Sequence, residues 1–383
     1  MPIDLRTYEG CNEVMSTAVS RDGPHTPLVS VCIPAYNADS TIGETLEAVL
    51  AQDYPLLDVV VSDNQSTDRT REIVLQYAER GVRYCLHSEG RPAWATRMPN
   101  YIGGFANWTF VLSQGRGEFL CLFHSDDLYE PSIVRRQVEV MQAYPNVGAV
   151  FTRARLIGED SRPIRMKTCK LPHELRRFVV LDFPALLNGV LAHSNFLLAP
   201  SVMLRRSVIE KVGGFSERHF LTSADLEMWL RIAREGHEIA IIDEPLLKYR
   251  VSGRQFGGQY ERSRTTLGDM FSVLDHYLGQ PGVRAMVSPQ SIALYELQRA
   301  ADQVLCAMKL LAGGEVTEAR ALLRQAMRAG NCVTALRHVR MLEQMVVGAL
   351  LVGSTSLGLG TACGQLAYRS YQRELERRRE PVE

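Results

Sequence analysis

Three short runs of apolar, largely β-branched residues constrain this chain most: Leu28-Val29-Ser30-Val31-Cys32-Ile33-Pro34, Leu57-Asp58-Val59-Val60-Val61-Ser62 and Phe119-Leu120-Cys121-Leu122-Phe123. Runs of this kind, without strict alternation, read as strands buried on both faces. Segments with helical spacing lie between them. Ile42, Leu46, Val49 and Leu50 follow the first run, behind a Thr41-Ile42-Gly43-Glu44 sequence that has the form of a capping box. Thr70–Tyr77 follows the second run. After the third come a helix over Pro131–Gln142, with proline at its first position, and another strand over Val147–Phe151. This alternation predicts an α/β protein with a parallel, helix-covered sheet.

In such sheets ligands bind beyond the carboxyl ends of the strands. Ala35-Tyr36-Asn37, Asp63-Asn64-Gln65-Ser66 and Ser125-Asp126-Asp127 each follow directly on a strand, so the three clusters are expected at one rim. Asp126 and Asp127, with His124 beside them and no cysteine pair, suit a hard divalent cation held by oxygen. Their structural alternative is a capping pair ahead of the next helix. Asp63, ending its strand, can accept hydrogen bonds from a base or ribose, whereas Asp68 reads as a cap for the helix behind it. Farther on, Asp225 is either an N-cap or a general base held at a helix start. Leu226, Trp229, Leu230 and Ala233 would then face the core, with Glu227 turned to solvent or a neighbouring side chain.

A chain of 383 residues holds one large or two ordinary domains, and 46% apolar residues argue against disorder. A formal net charge of zero gives no support for a nucleic-acid partner. The 8 cysteines show no CxxC pair and no zinc spacing, and several sit inside apolar runs as reduced thiols do. The N-terminus carries Asp4, Arg6, Glu9 and Glu13 with no apolar signal core, so a cytoplasmic location is expected. Residues 1–27 read as an N-terminal arm. From about residue 285 the pattern turns helical, with Leu294–Leu311 and Val316–Ala329 forming a hairpin broken at Gly313-Gly314. Gln344–Tyr368 has no charged residue, and Arg369, Arg373 and Arg377-Arg378-Arg379 follow it. Gly348, Gly353, Gly358, Gly360 and Gly364 keep that segment only mildly apolar. It therefore reads as a helix in a soluble bundle or at a membrane surface rather than a span, with arginines able to touch anionic lipid at the inner face.

The ordered set of motifs resembles a family 2 glycosyltransferase of the GT-A fold. It comprises the strand and loop over Val31–Asn37; Val59-Val60-Val61-Ser62-Asp63-Asn64-Gln65-Ser66-Thr67-Asp68; Gly117-Glu118-Phe119 leading to Ser125-Asp126-Asp127; Gly213-Gly214-Phe215; Ala224–Arg231; and Tyr249-Arg250. The resemblance covers residues 28–255 and sets a transferase domain at 28–258, leaving a C-terminal helical region at 259–383. It implies inverting transfer from a UDP-, dTDP- or GDP-sugar to a hydroxyl of a glycan or lipid-linked glycan, in polysaccharide or glycolipid synthesis. Pro34, Ala35, Tyr36, Asn37, Asp63, Asn64, Ser66 and Asp126 would bind the nucleotide sugar. Asp127 and Asp126 would hold Mg²⁺ or Mn²⁺, Asp225 would be the catalytic base, and Gly214, Phe215 and Trp229 would lie on the acceptor side. The chain departs from the family at Ser125, in place of the first Asp of a strict DxD. It departs again at Ala224, where Glu commonly precedes the base, and at Ser252, where a histidine often completes the metal shell. Asn107-Trp108 resembles one branch. Two rivals stay open. A sugar nucleotidyltransferase would show a glycine-rich basic loop where Pro34-Ala35-Tyr36-Asn37-Ala38-Asp39 stands, and a silent binding or scaffold module is kept open by Ala224 and Ser252.

Overall fold

The computed structural model describes residues 26–88, 104–165, 172, 179–253, 255–336 and 338–380, so nearly all of the expected N-terminal arm lies outside the described residues. The chain divides into two compact units. One comprises Met1–Pro163, Lys167–Leu186 and Leu197–Val251; the other, Ile164–Met166, Leu187–Phe196 and Ser252–Glu383.

The first unit is built on nine strands: β1 (Val29–Ala35), β2 (Leu57–Asp63), β3 (Arg83–Leu86), β4 (Phe119–Leu122), β5 (Leu128–Tyr129), β6 (Val147–Ile157), β7 (Val179–Leu181), β8 (Val202–Arg205) and β9 (Glu238–Arg250). They form one sheet in the order β3-β2-β1-β4-β8-β6-β9-β5, with β7 also paired to β9. β1, β2, β3 and β4 run parallel, β8 runs against β4 and β6, and β9 is parallel to β6. The sheet is thus mixed but mostly parallel, with helices on both faces as the GT-A resemblance implies; the strand–helix alternation alone predicts a parallel sheet, and β5, β7 and β8 run antiparallel to their neighbours. Every residue of β1 is buried, which explains the absence of alternation in its sequence. Pro34 sits in this central strand without disrupting the β4 ladder, because that pairing ends at Cys32 opposite Leu122.

The helices of this part are α1 (Ile42–Leu50), α2 (Thr70–Leu75), α3 (Gly104–Gln114), α4 (Ile133–Ala143), the start of α5 (Phe183–His193), whose residues from Leu187 on belong to the other unit, α6 (Arg206–Val212) and α7 (Ala224–Arg234). Two local expectations give way. Pro131 lies in the turn before α4, which begins at Ile133. The capping box at Thr41 does not form: the Thr41 hydroxyl donates to the Ser125 carbonyl at 3.0 Å, and the Glu44 carboxylate takes Arg250 at 2.8 Å. Long-range partners outcompete the helix's own N–H groups here. The strand expected over Val147–Phe151 continues to Ile157, because β9 pairs with it along its whole length.

The helical unit contains α8 (Phe256–Ser263), α9 (Asp269–Leu278), α10 (Pro289–Ala312), α11 (Val316–Ala326), α12 (Ala329–Ala335), α13 (Val339–Ser356) and α14 (Gly360–Arg379). α10 starts with Pro289 behind Ser288, whose hydroxyl accepts the Ser291 N–H at 3.0 Å. Leu297, Val304, Ala307 and Leu311 of α10 form the centre of this unit's own core, against Ala319 and Leu323 of α11 and Met345 and Leu351 of α13. The charge-free run is two helices rather than one. Gly358 takes φ +77° between α13 and α14, a conformation that costs glycine little. Gly364 packs so closely on the backbone at Leu311 and Ala312 that a side chain would not fit there. Among the described residues, no helix is long and apolar enough to cross a membrane.

Candidate active site

The strand register brings the three polar clusters to one rim. Ala35 lies opposite Asp63, Asp63 opposite Leu86, and Cys32 opposite Leu122. Backbone bonds continue this order past the strand ends: Asn64 N–H donates to Ala35 O, His87 N–H to Asp63 O and Phe123 N–H to Cys32 O.

The loops after β1 and β2 are laced together. Asn37, at φ +46°, donates its N–H to the Ser66 hydroxyl at 2.9 Å and accepts the Thr67 N–H on its side-chain oxygen at 2.9 Å. Asp68 accepts the N–H of Thr70 at 2.9 Å and that of Asp39 at 3.0 Å, confirming its structural role. Asp63 is buried; its carboxylate accepts the Ser66 N–H at 2.8 Å and the Tyr84 hydroxyl at 2.9 Å. Burial, with the bond to Asp63 beside it, pushes the Tyr84 hydroxyl up to about 12, so it stays a donor. Asn64 is buried against the His87 ring at 2.9 Å, and Pro34 and Ala35 are buried within β1. Tyr36 and Asn37 are the exposed members of this group.

Beyond β4 the polypeptide turns through Ser125 and Asp126. Thr45 on α1 donates its hydroxyl toward the carbonyl of Asp127 at 2.9 Å. His124 N–H donates to the Tyr129 hydroxyl at 2.6 Å, and the Tyr129 ring stacks on Phe123. The Asp127 side chain is fully buried. One of its oxygens accepts the Arg250 N–H at 2.7 Å; the other has no hydrogen-bond partner. Burial holds its carboxyl well above the ordinary carboxylate range, and Asp126 adds to the rise. The Nε2 atom of His124 is likewise buried without a partner, and burial pushes this imidazole down to about 3, so it stays neutral. A ring nitrogen of His124 and one oxygen each from Asp126 and Asp127 lie within 4.8 Å of one another, among the described residues a group able to hold a metal ion. Unpartnered buried polar atoms are costly unless something occupies them. The residues present therefore fit a divalent cation.

Arg250 organises this corner, and sequence reasoning gave it no role. Only 3% exposed, its guanidinium donates to the carbonyls of Asp126 (2.7 Å) and Glu159 (3.1 Å), the Ser161 hydroxyl (2.9 Å) and the Glu44 carboxylate (2.8 Å). One side chain thereby joins α1, the Asp126 turn and the loop after β6. Its fixed fork of donors suits such a task. His124 was named only as a neighbour of the carboxylates; the orphaned ring nitrogen is what brings it into the site.

Asp225 is half-buried in the first turn of α7, one residue inside the helix rather than at its N-cap, which is Ser223. The negative end of a carboxylate is favoured there by the helix dipole. Leu226, Trp229, Leu230 and Ala233 are all buried, as their spacing predicts. Glu227 is buried as well and pairs with Arg231 at 3.0 Å; Arg231 in turn donates to the carbonyl of Gly214 at 2.6 Å. This clamp fixes the Gly213-Gly214 loop on α7. Gly214 fits tightly against Thr109, whose hydroxyl accepts the Phe215 N–H at 3.1 Å. Phe215 is largely buried, with Phe105, Trp108 and Trp229 around it, and Trp108 reaches the His124 ring at 4.6 Å between centroids. Trp229 itself is fully buried, so its indole is core rather than a surface for an acceptor. Phe215 supports that core, and of the three residues expected on the acceptor side only Gly214 retains appreciable exposure.

A mixed sheet that gathers two interlaced loops and an acidic turn on one rim fits the GT-A fold. Solved structures agree with it. TarS from S. aureus in complex with UDP superposes with a TM-score of 0.52 at 15% identity, covering 86% of this chain and 92% of that one. The mannosyltransferase PcManGT from Pyrobaculum calidifontis, in complex with GDP-Man and Mn²⁺, gives 0.52 at 20% identity over 91% and 90%. Residues 30–213 match the model of Glycosyl transferase family 2. An uncharacterized glycosyltransferase of Rickettsia typhi is 27% identical over 236 residues, 61% of this chain and 67% of its own. The putative teichuronic acid biosynthesis glycosyltransferase TuaG of Bacillus subtilis is 27% identical over 225 residues, 59% and 79%. The protein is a glycosyltransferase.

Proposed function

We propose that this enzyme transfers a sugar, with inversion, from a nucleoside-diphosphate sugar to a hydroxyl of a glycan or lipid-linked glycan, on the cytoplasmic side, during synthesis of a cell-envelope polysaccharide or glycolipid. The observation that carries the reading is the buried, unpartnered Asp127 oxygen beside Asp126 and His124, at the rim where the β1 and β2 loops also meet. TarS with UDP and PcManGT with GDP-Man and Mn²⁺ support a nucleotide-sugar donor, and TuaG supports an envelope polysaccharide as the product's destination.

In this reading Asp63 and Asn64 line the place of the base and ribose, and Asn37 and Ser66 hold the loop against the nucleotide. Asp127, Asp126 and His124 would hold a divalent ion, which would supply positive charge to offset that growing on the departing diphosphate. Carboxylates suit Mg²⁺ or Mn²⁺, and the imidazole tilts the set toward the transition ion. Asp225 accepts the proton of the acceptor hydroxyl. The acceptor oxygen forms its bond to the anomeric carbon from the face opposite the diphosphate. The bond to the diphosphate oxygen breaks with its electron pair, leaving the configuration inverted. Asp225 is held at a helix start for that task, and Arg250 keeps the acidic turn rigid.

A thermal-shift series with UDP, GDP, dTDP and CDP, each with Mn²⁺, Mg²⁺ or neither, tests the donor site, because a ligand that binds only the folded state raises its melting temperature. The expected result is a metal-dependent rise with one nucleotide, lost in Asp127→Ala. No rise with any of them would refute the metal–nucleotide reading and favour a silent scaffold. Donor hydrolysis by the wild type but not by Asp225→Asn would separate catalysis from binding.

A further inference from the structure

The helical unit carries a surface that sugar transfer does not use. Among the described residues, every large apolar side chain more than half exposed lies between Val333 and Leu366; in the sheet unit the most exposed is Leu86, at 49%. On α13, Val346 and Leu350 fall on one helical face with the exposed Ala349 and Gly353 beside them, and Leu357 follows at the C-cap. That face holds no charge from Val346 to the end of the helix. Leu357 and Leu359 then flank Gly358 at the tip of the hairpin, 76% and 55% exposed. A soluble helix ordinarily turns a charged face outward, and an uncharged outer face this continuous marks an interaction surface.

The second helix supplies the charge. Ala362, Leu366, Arg369, Arg373 and Arg377 recur at helical spacing along one exposed face of α14, with Glu376 among them, so the apolar start of that face passes into a predominantly basic stretch. Arg378 pairs with Glu374 at 3.0 Å, whereas Arg369, Arg373 and Arg377 have no ion pair with a described carboxylate. Apolar residues at a tip with arginines behind them match a lipid surface, where leucines enter the acyl boundary and long cationic side chains reach the head groups. A span is excluded for these helices by their length and polarity.

We propose that the α13–α14 hairpin is a monotopic membrane-docking element that inserts its Leu357-Gly358-Leu359 tip and the Val346–Leu350 face shallowly into a bilayer, and that Arg369, Arg373 and Arg377 select anionic lipid. The inference stands apart from the donor-site reading and fails or survives independently of it.

Flotation of the full-length protein with vesicles of phosphatidylcholine alone, or with about a third phosphatidylglycerol, tests it. The expected result is binding to the anionic vesicles that weakens with added salt. Arg369→Ser/Arg373→Ser/Arg377→Ser should lose at least tenfold in vesicle affinity, and Leu357→Ser/Leu359→Ser should lose as much on the same vesicles. Both variants should keep the wild-type melting temperature, since every altered side chain is exposed. Three results would overturn the proposal: no flotation of the wild type at low salt; equal binding to neutral and anionic vesicles; or a concentration-dependent dimer, broken by Leu357→Ser/Leu359→Ser, in protein that ignores vesicles.

Discussion

The two units break the ordinary rules of burial in opposite directions. In the sheet unit, Asp127, His124 and Trp229 hide polar atoms that have no partner. Among its described residues the helical unit has one such atom, on Arg379, but shows exposed leucines. Each violation costs stability where it stands: an unpaired buried polar group roughly 1–3 kcal/mol, an exposed leucine much of its roughly 1.5–3 kcal/mol of burial energy. What the difference teaches is where each unit meets something else. A buried orphan asks for an ion or polar ligand, and an exposed apolar face asks for another surface. Trp229 is the exception, since its indole N–H faces a packed core and nothing polar reaches it.

Altering the chemistry at the rim should give the largest effect. Asp225→Asn is expected to reduce turnover about 10²–10⁴-fold, the usual contribution of a positioned base, with metal-dependent nucleotide binding unchanged by calorimetry. An unchanged rate would remove Asp225 from the mechanism. Next comes Arg250→Ala, which leaves Glu44 and two loop carbonyls without their shared donor. Glu44 stays accessible to solvent, so the loss is that of the carbonyls left unpaired, roughly 1–3 kcal/mol, readable by denaturant unfolding. Mn²⁺ affinity should also fall roughly 10–100-fold, as when a group that orients ligands is removed.

The orphans also predict a pH signature in the metal-free protein. His124 has its pKa depressed to about 3 by burial. Its contribution to stability is therefore full above about 6.5, the unfolded value, and is lost as the pH falls from there toward 3. Asp127 has the opposite shift: raised by burial, it favours the fold at low pH and loses that contribution as the pH rises through its folded value. Each limb can reach about 1.4 kcal/mol per pH unit. Melting temperatures of His124→Asn should lack the acid limb and those of Asp127→Asn the alkaline one, whereas Mn²⁺ should flatten the alkaline limb of the wild type alone. The smallest effect belongs to the other side of the comparison. Leu350→Ser, on the exposed face, should change unfolding free energy by less than about 0.5 kcal/mol, against roughly 2–5 kcal/mol for Leu297→Ala in the helical core. A large loss at Leu350 would mean that its face is covered after all.

Most of the fold was legible because its signals are local. The apolar runs at Val29–Ala35, Leu57–Asp63 and Phe119–Leu122 became strands. Three polar clusters directly behind them met at one rim because parallel strands end together. α10 and α11 also fell where their spacing put them. What misled was a local pattern with a distant competitor. Thr41 and Glu44 have the sequence of a capping box, yet their side chains answer to Ser125 and Arg250. Trp229 has the residue type of a sugar platform, but helical spacing turns it into the core with Leu226 and Leu230.

Sequence alone thus determined the class of sheet, the rim and the family of chemistry, since each rests on residues within a few positions of one another. Only the tertiary structure decided which atoms at that rim are left without partners. The Arg250 N–H reaches one Asp127 oxygen from 123 positions away and leaves the other bare, and no neighbour in sequence reports such a bond. It decided equally that the charge-free C-terminal run bends at Gly358 and keeps one face against α10 and the other open. Burial is a property of what surrounds a residue, and most of those surroundings are supplied by distant parts of the chain.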